Sequence, residues 1–198
     1  MPRRLRGYLK ERIIRVLLNN PEGDLSKYRV AKNAEASFPW THEFLKNLER
    51  EGYVEGTRVL DYRGLLLYWG ASRIKPKRRD YMVQEPLSLL KRSSINYALT
   101  SYQAENLVQG YLFPSRIDLY VLNQDAPSWH KLMCENGLVG HGNVRILVDD
   151  KHVFYNVNVI KDLCVVSTPQ LILDLFSEGG PSIEAAELLL DKMKFNNF

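Results

Sequence analysis

A chain of 198 residues and 23.0 kDa, 45% hydrophobic and 25% charged, has enough apolar material for one large or two small packed domains, and this excludes a disordered, fibrous or staple-dependent architecture. The formal charge of +4 hides an asymmetry: residues 1–82 hold 18 Lys and Arg against 10 Asp and Glu, a net of +8, and residues 83–198 hold 9 against 13, a net of −4. No run approaches the roughly 18 apolar residues of a membrane span, and the basic start Pro2-Arg3-Arg4 leads into an amphipathic segment rather than a signal sequence, so a cytoplasmic protein without a membrane partner is expected.

The first helix is predicted from Leu5 to about Asn19, because Leu5, Leu9, Ile13, Val16 and Leu17 recur at spacings of three and four. Asn20-Pro21-Glu22-Gly23 ends it, and Ser26 is placed to cap a two-turn helix carrying Tyr28, Val30, Ala31 and Ala34. A third helix is predicted over Phe38–Arg50, with Pro39 in its first turn and Gly52 just past its end. Residues 53–60 are β-prone around Gly56 and form a candidate wing. The apolar run Leu65-Leu66-Leu67-Tyr68-Trp69 is too short to choose between strand and helix. The charged stretch 72–80 suits an interdomain connection, which sets the boundary near residue 82.

Beyond that boundary, helices are expected over 87–90, 97–108, 129–135, 169–176 and 182–193, and strands over 116–122, 144–148, 153–157 and 163–166. The mixture predicts an α+β protein whose second domain, residues 83–198, packs helices on a small sheet. Gly137, Gly140 and Gly142 read as turn residues, because no phosphate-loop Lys-Ser or Lys-Thr follows them. Cys134 and Cys164 form no CxxC or Cys/His pattern, so they are expected as two buried thiols, without a metal site.

Helix, short helix, turn, helix and β-prone segment is the order of a winged helix-turn-helix, whose third helix enters the DNA major groove. Turning Thr41, Phe44, Leu45 and Leu48 inward leaves Pro39, His42, Glu43, Lys46, Asn47 and Arg50 outward. In such positions Arg and Lys bond guanine or phosphate, and Asn bonds adenine. Arg3, Arg4 and Arg6 on the first helix, Lys27, Arg29 and Lys32 on the second, and Arg58 and Arg63 near the wing would add phosphate attraction that ignores sequence. The same residues also suit a solvated surface. The cluster Lys75 to Arg79 serves equally as an extended linker or a minor-groove arm. Trp40 is assigned to packing.

In the second domain, Asp118 within Ile117-Asp118-Leu119-Tyr120-Val121 is a lone acid on a strand, placed to pair with Arg116 or Arg145. Asp149-Asp150 has the composition of a turn, and His130, His141 and His152 are scattered. No nucleophile elbow or nucleotidyl-transferase motif accompanies them, so neither enzymatic turnover nor a cofactor is expected.

Tyr97-Ala98-Leu99-Thr100, Ala104-Glu105-Asn106, Ile117-Asp118-Leu119-Tyr120-Val121, the run Ser167-Thr168-Pro169-Gln170-Leu171-Ile172-Leu173-Asp174-Leu175, then Gly179-Gly180-Pro181 and Ala185-Ala186-Glu187-Leu188-Leu189 follow the candidate winged helix. In this arrangement the chain resembles the AbiEi-type antitoxin and transcriptional-regulator family. The resemblance implies operator binding and autoregulation by the winged helix, and neutralisation of a nucleotidyl-transferase toxin by the second domain. The expectation is therefore a transcriptional regulator that binds double-stranded DNA and is antitoxin-like. Its rivals are a metal-dependent nuclease or nucleotidyl transferase using Asp118, and a winged-helix protein-interaction scaffold.

Overall fold

The computed structural model describes residues 3–195, with side chains from Arg6 to Met193. The side chains of Arg3, Arg4 and Leu5, and all of Pro2, lie outside the described residues. The chain divides into two compact units, Met1–Ile74 and Lys75–Phe198.

The first unit contains α1 (Arg3–Leu18), α2 (Lys27–Asn33) and α3 (Phe38–Arg50), the strands β1 (Val54–Glu55) and β2 (Arg58–Val59), and α4 (Tyr62–Ser72). Ser26 caps α2 as its sequence position predicts, accepting a hydrogen bond from the Arg29 amide at 3.2 Å. Gly52 follows the end of α3 with a φ of +81°, the left-handed conformation that glycine adopts without penalty. Ile13, Ile14, Leu17, Leu18, Val30, Leu45, Leu48, Leu65, Leu66 and Trp69 are buried in this unit. The undecided run 65–69 is helical: Asp61 caps α4 through the Gly64 amide at 2.8 Å, and Leu65, Leu66 and Trp69 recur at helical spacing toward the core. Trp69 Nε1 donates to Glu11, whose other oxygen accepts from the Ile74 amide at 2.8 Å, while the Arg15 guanidinium lies 4.9 Å from the Trp69 ring. A carboxylate and a cation are thereby spent on tying α1 to α4.

The second unit holds a seven-stranded mixed sheet in the order β6-β3-β7-β5-β4-β9-β8. Its strands are β3 (Lys77–Val83), β4 (Ala98–Thr100), β5 (Ile117–Val121), β6 (Gly137–Val139), β7 (Val144–Val148), β8 (Asn158–Ile160) and β9 (Leu163–Val165). Pairs β5–β7 and β4–β9 are parallel and the others antiparallel. The helices are α5 (Pro86–Arg92), α6 (Ser101–Val108), α7 (Ala126–Glu135), α8 (Thr168–Glu178) and α9 (Pro181–Phe195). The α+β class holds, with a sheet larger than the small one expected.

Several expectations are corrected. The stretch 72–80, read as a linker, supplies most of β3, which is hydrogen-bonded on both sides; the unit boundary falls at residue 74 rather than 82. Charge along a strand says nothing against pairing, because the ladder uses backbone groups and an uncovered sheet face leaves side chains in water. The segment 97–108 is a strand followed by a helix, separated at Ser101 by a φ of +51°. The segment 153–157 is no strand: Asp150 accepts the His152 amide at 3.0 Å and starts a 3-10 turn over Lys151–Phe154, and His152 stacks on Tyr155 with centroids 5.0 Å apart. Gly137 lies in β6, and Gly142 passes so close to β3 that a Cβ there would collide with the Tyr81 carbonyl. Both cysteines are free, but Cys134 is exposed and Cys164 half-buried, so the expected buried thiols are not found.

Candidate nucleic-acid interface

The α3 sequence divides its faces by spacing alone. Thr41, Phe44, Leu45 and Leu48 are buried, as predicted, and Pro39, Glu43, Lys46 and Arg50 form the exposed line opposite them. Trp40 and Asn47 lie on one flank of this line and His42 on the other.

The flanks differ from the sequence reading. His42, expected outward, is half-buried; its ring stacks on Phe38 with centroids 5.8 Å apart and planes 17° apart, and its Nδ1 is buried without a hydrogen-bond partner. Phe38 in turn meets Tyr28 of α2, with centroids 6.3 Å apart. Tyr28 is 65% exposed and Phe38 44%, so two aromatic rings stand in water at the entry to α3, a feature that the charge pattern of the sequence does not signal. Asn47 is half-buried and accepts a hydrogen bond from Arg50, so its amide oxygen is already engaged.

On the other flank lies an open cleft of about 750 Å³ between α1, α3 and α4, lined by Arg6, Lys10, Trp40, Asn47, Arg50 and Tyr68 among others. Trp40 packs on Phe44 with centroids 5.5 Å apart, and Lys10 Nζ stands 5.6 Å from the same ring. Trp40 therefore packs and also lines the cleft. Lys10 and Tyr68 were absent from the sequence-derived site, since they come from α1 and α4 and only the tertiary fold brings them to α3.

Lys27 is half-buried at the start of α2, with Arg29 and Lys32 exposed along it. Arg58 is exposed on the hairpin and Arg63 in the first turn of α4. The hairpin is tied at three points: Val59 donates to the Pro21 carbonyl at 2.8 Å, Thr57 Oγ1 to the Leu25 carbonyl at 2.7 Å, and the Gly56 amide to Glu49 of α3 at 2.9 Å. Arg12 and Arg15 do not contribute outward charge: both are buried, Arg12 bonds Glu35 at 2.9 Å and Arg15 covers Trp69.

The corrected boundary also changes the charge division. Residues 1–74 hold 14 Lys and Arg against 9 Asp and Glu, a net of +5; residues 75–198 hold 13 against 14, a net of −1. The remaining three positive charges of the expected +8 sit on β3 and the two residues before it.

In the second unit Asp118 pairs with both arginines named from the sequence. Asp118 Oδ1 lies 2.8 Å from Arg116 Nε and 3.6 Å from Arg145 Nε. Arg145 also meets Asp80 at 3.3 Å, and Glu178 bonds Arg116 and Arg145 at 3.0 Å each. The sheet register explains the row, since Thr100, Asp118, Arg145 and Asp80 are successive cross-strand partners on one face. Burial pushes the Asp118 carboxyl above the usual carboxylate range against the pull of Arg116 and Arg145, and its Oδ2 has no hydrogen-bond partner. Beside this row Asp174 accepts from Thr100, from Tyr120 at 3.0 Å and from Gln170 at 3.0 Å. Among the described residues no group of three or more His, Cys, Asp and Glu is placed to hold a metal ion, and no helix is long and apolar enough to cross a membrane.

Comparison with family models, with curated proteins and with solved structures yields no match to this chain.

Proposed function

We propose that the chain is a transcriptional regulator that binds double-stranded DNA through its first unit, acting as a winged helix-turn-helix and without substrate turnover. The observation that carries this reading is the α3 face: an exposed line of Pro39, Glu43, Lys46 and Arg50 stands opposite a fully packed one, with the hairpin fastened beside the helix end. A helix so presented fits a major groove, and Arg50 and Lys46 are the side chains that would meet base edges or phosphate. α3 itself is electrically balanced, with Glu43 and Glu49 against Lys46 and Arg50, so the phosphate attraction falls to Arg29, Lys32 and Arg58, together with Arg6 and Lys10 across the cleft.

The test is fluorescence anisotropy of the full chain with labelled duplexes at two salt concentrations. Steep weakening with salt, and a preference among sequences that Arg50→Ala flattens, is the expected result; absence of binding at low salt ends the proposal. The resemblance to the AbiEi-type family extends it to an antitoxin-like role, with a nucleotidyl-transferase toxin as partner. With a net of only −1 in the second unit, attraction to a basic toxin has no support from overall charge and must come from local contacts. Co-elution of the full chain with a nucleotidyl transferase encoded beside its gene checks this, and separate elution removes the antitoxin part alone.

A further inference from the structure

The sheet of the second unit handles its cations in two ways. On one face Arg116 and Arg145 are ion-paired to Asp80, Asp118 and Glu178. The alternation of β3 sends Lys77, Arg79 and Tyr81 to the other face, opposite Val148, Ile146 and Val144 of β7, where α7 packs. Here neither Lys77 nor Arg79 has a carboxylate partner among the described residues, and both are exposed. They border a hollow of about 580 Å³ that Tyr81, Asn123, His130 and Ile146 also line, with Val148 and Pro127 extending its apolar wall.

Within the hollow, His130 Nδ1 lies 2.9 Å from the Tyr81 hydroxyl and 3.1 Å from an Arg79 guanidinium nitrogen. A guanidinium can only donate, so the lone pair of Nδ1 is the acceptor that it shares with the Tyr81 hydroxyl. This contact fixes Arg79 at one of its five N–H groups and holds the fork at the rim, while Tyr81, 2% exposed, anchors the base of the arrangement.

We propose that this hollow binds a phosphate-bearing organic anion of the nucleotide class. Two cations two residues apart on one strand repel each other, and a phosphate between them removes that repulsion while matching the planar fork of Arg79. The apolar wall of Ile146, Val148 and Pro127 gives a flat ring a surface to leave water against, and the Asn123 amide can both donate to and accept from a base or sugar. A volume of about 580 Å³ lies within the range of small-ligand sites. A polymer of phosphates would need the exposed cations but not the walled hollow behind them. The site lies entirely within the second unit and does not depend on the DNA reading of the first.

The experiment titrates the full chain with a fluorescent ADP analogue, using inorganic pyrophosphate and duplex DNA as separate competitors, with side-chain NMR of His130 as a second readout. Saturable binding is expected that pyrophosphate displaces and duplex DNA does not, with a shift of the His130 signals. Lys77→Gln combined with Arg79→Gln is expected to weaken binding about tenfold or more, by loss of two charge-assisted contacts. Lys91→Gln, an exposed cation on α5, leaves binding unchanged. Thermal unfolding verifies each variant. If Arg79→Gln does not fold, Lys77→Gln alone carries the test, since its side chain is exposed. Lack of saturation up to about 1 mM, the weak end of specific affinity, overturns the assignment. So does binding that Lys91→Gln weakens as much as the β3 variants do, or displacement by duplex DNA, which would make β3 a surface for polymer phosphate.

Discussion

Arg50 and Arg145 use the same side chain to opposite ends. Arg50 stands in water at the end of α3 with a hydrogen bond to Asn47, whereas Arg145 lies on a central strand between Asp80, Asp118 and Glu178. The first keeps its donors available to a phosphate or a base edge. The second spends them on carboxylates of its own unit. Counting charges along the chain treats the two alike, and in the first unit it also counts Arg12 and Arg15, which are buried.

The sharpest way to break this contrast is to remove each arginine and compare stability with binding. Arg145→Ala leaves Asp80 without its cation and Asp118 and Glu178 to share Arg116, and a loss of about 1–3 kcal/mol of unfolding free energy is expected in urea. Arg50→Ala touches no buried group and should change stability by less than about 0.5 kcal/mol. If both variants unfold alike, the division into an outward and an inward cation is wrong.

On the binding side the order reverses. Arg50→Ala is expected to cost about 1–3 kcal/mol of duplex affinity and to relax sequence preference, whereas Lys32→Ala weakens all duplexes alike. Asn47→Ala should show a weaker version of the Arg50 effect, because Asn47 orients that guanidinium. Competition binding with matched and scrambled duplexes separates the three. Uniform losses in all of them would reduce α3 to a phosphate contact.

Ser26→Ala removes the α2 cap, and a loss of about 1 kcal/mol in stability is expected, read as a lower thermal midpoint. α2 packs against α3, so a fall in DNA affinity beyond that explained by unfolding would show that α3 is positioned through α2.

The smallest effect is that of pH on the buried row. Because burial raises the folded-state affinity of Asp118 for its proton, its contribution to stability is complete below the ordinary carboxyl value of 3.8 and is lost as pH rises through the raised folded value. Asp118→Asn should flatten the decline of stability from acid toward neutral pH, measured by urea unfolding across that range. An unchanged slope would mean that the carboxyl is held ionised by Arg116 and Arg145 despite its burial.

The first unit was legible because its signals are local. Capping by Ser26, the inward spacing of Thr41, Phe44, Leu45 and Leu48, and Gly52 past the end of α3 each depend on residues within a turn or two, where backbone geometry fixes which side chains meet. The ion pairs of Asp118 were also foreseen, since Arg116 is its neighbour on the strand, and the parallel partner Arg145 stood in the other unmistakably apolar strand.

What only the tertiary structure decided depends on groups distant in the chain. Strand β3 opens on four charged residues and β6 and β8 are only three residues long, so none shows a period, and they exist because neighbouring strands offer backbone partners. The same holds for the cleft beside α3, whose Lys10 and Tyr68 come from other helices, and for the burial of Arg12 and Arg15. A sequence states which side chains are charged. Whether a charge meets solvent or a carboxylate depends on the register of strands and the crossing of helices, which arise from summed packing across the whole unit and have no local code.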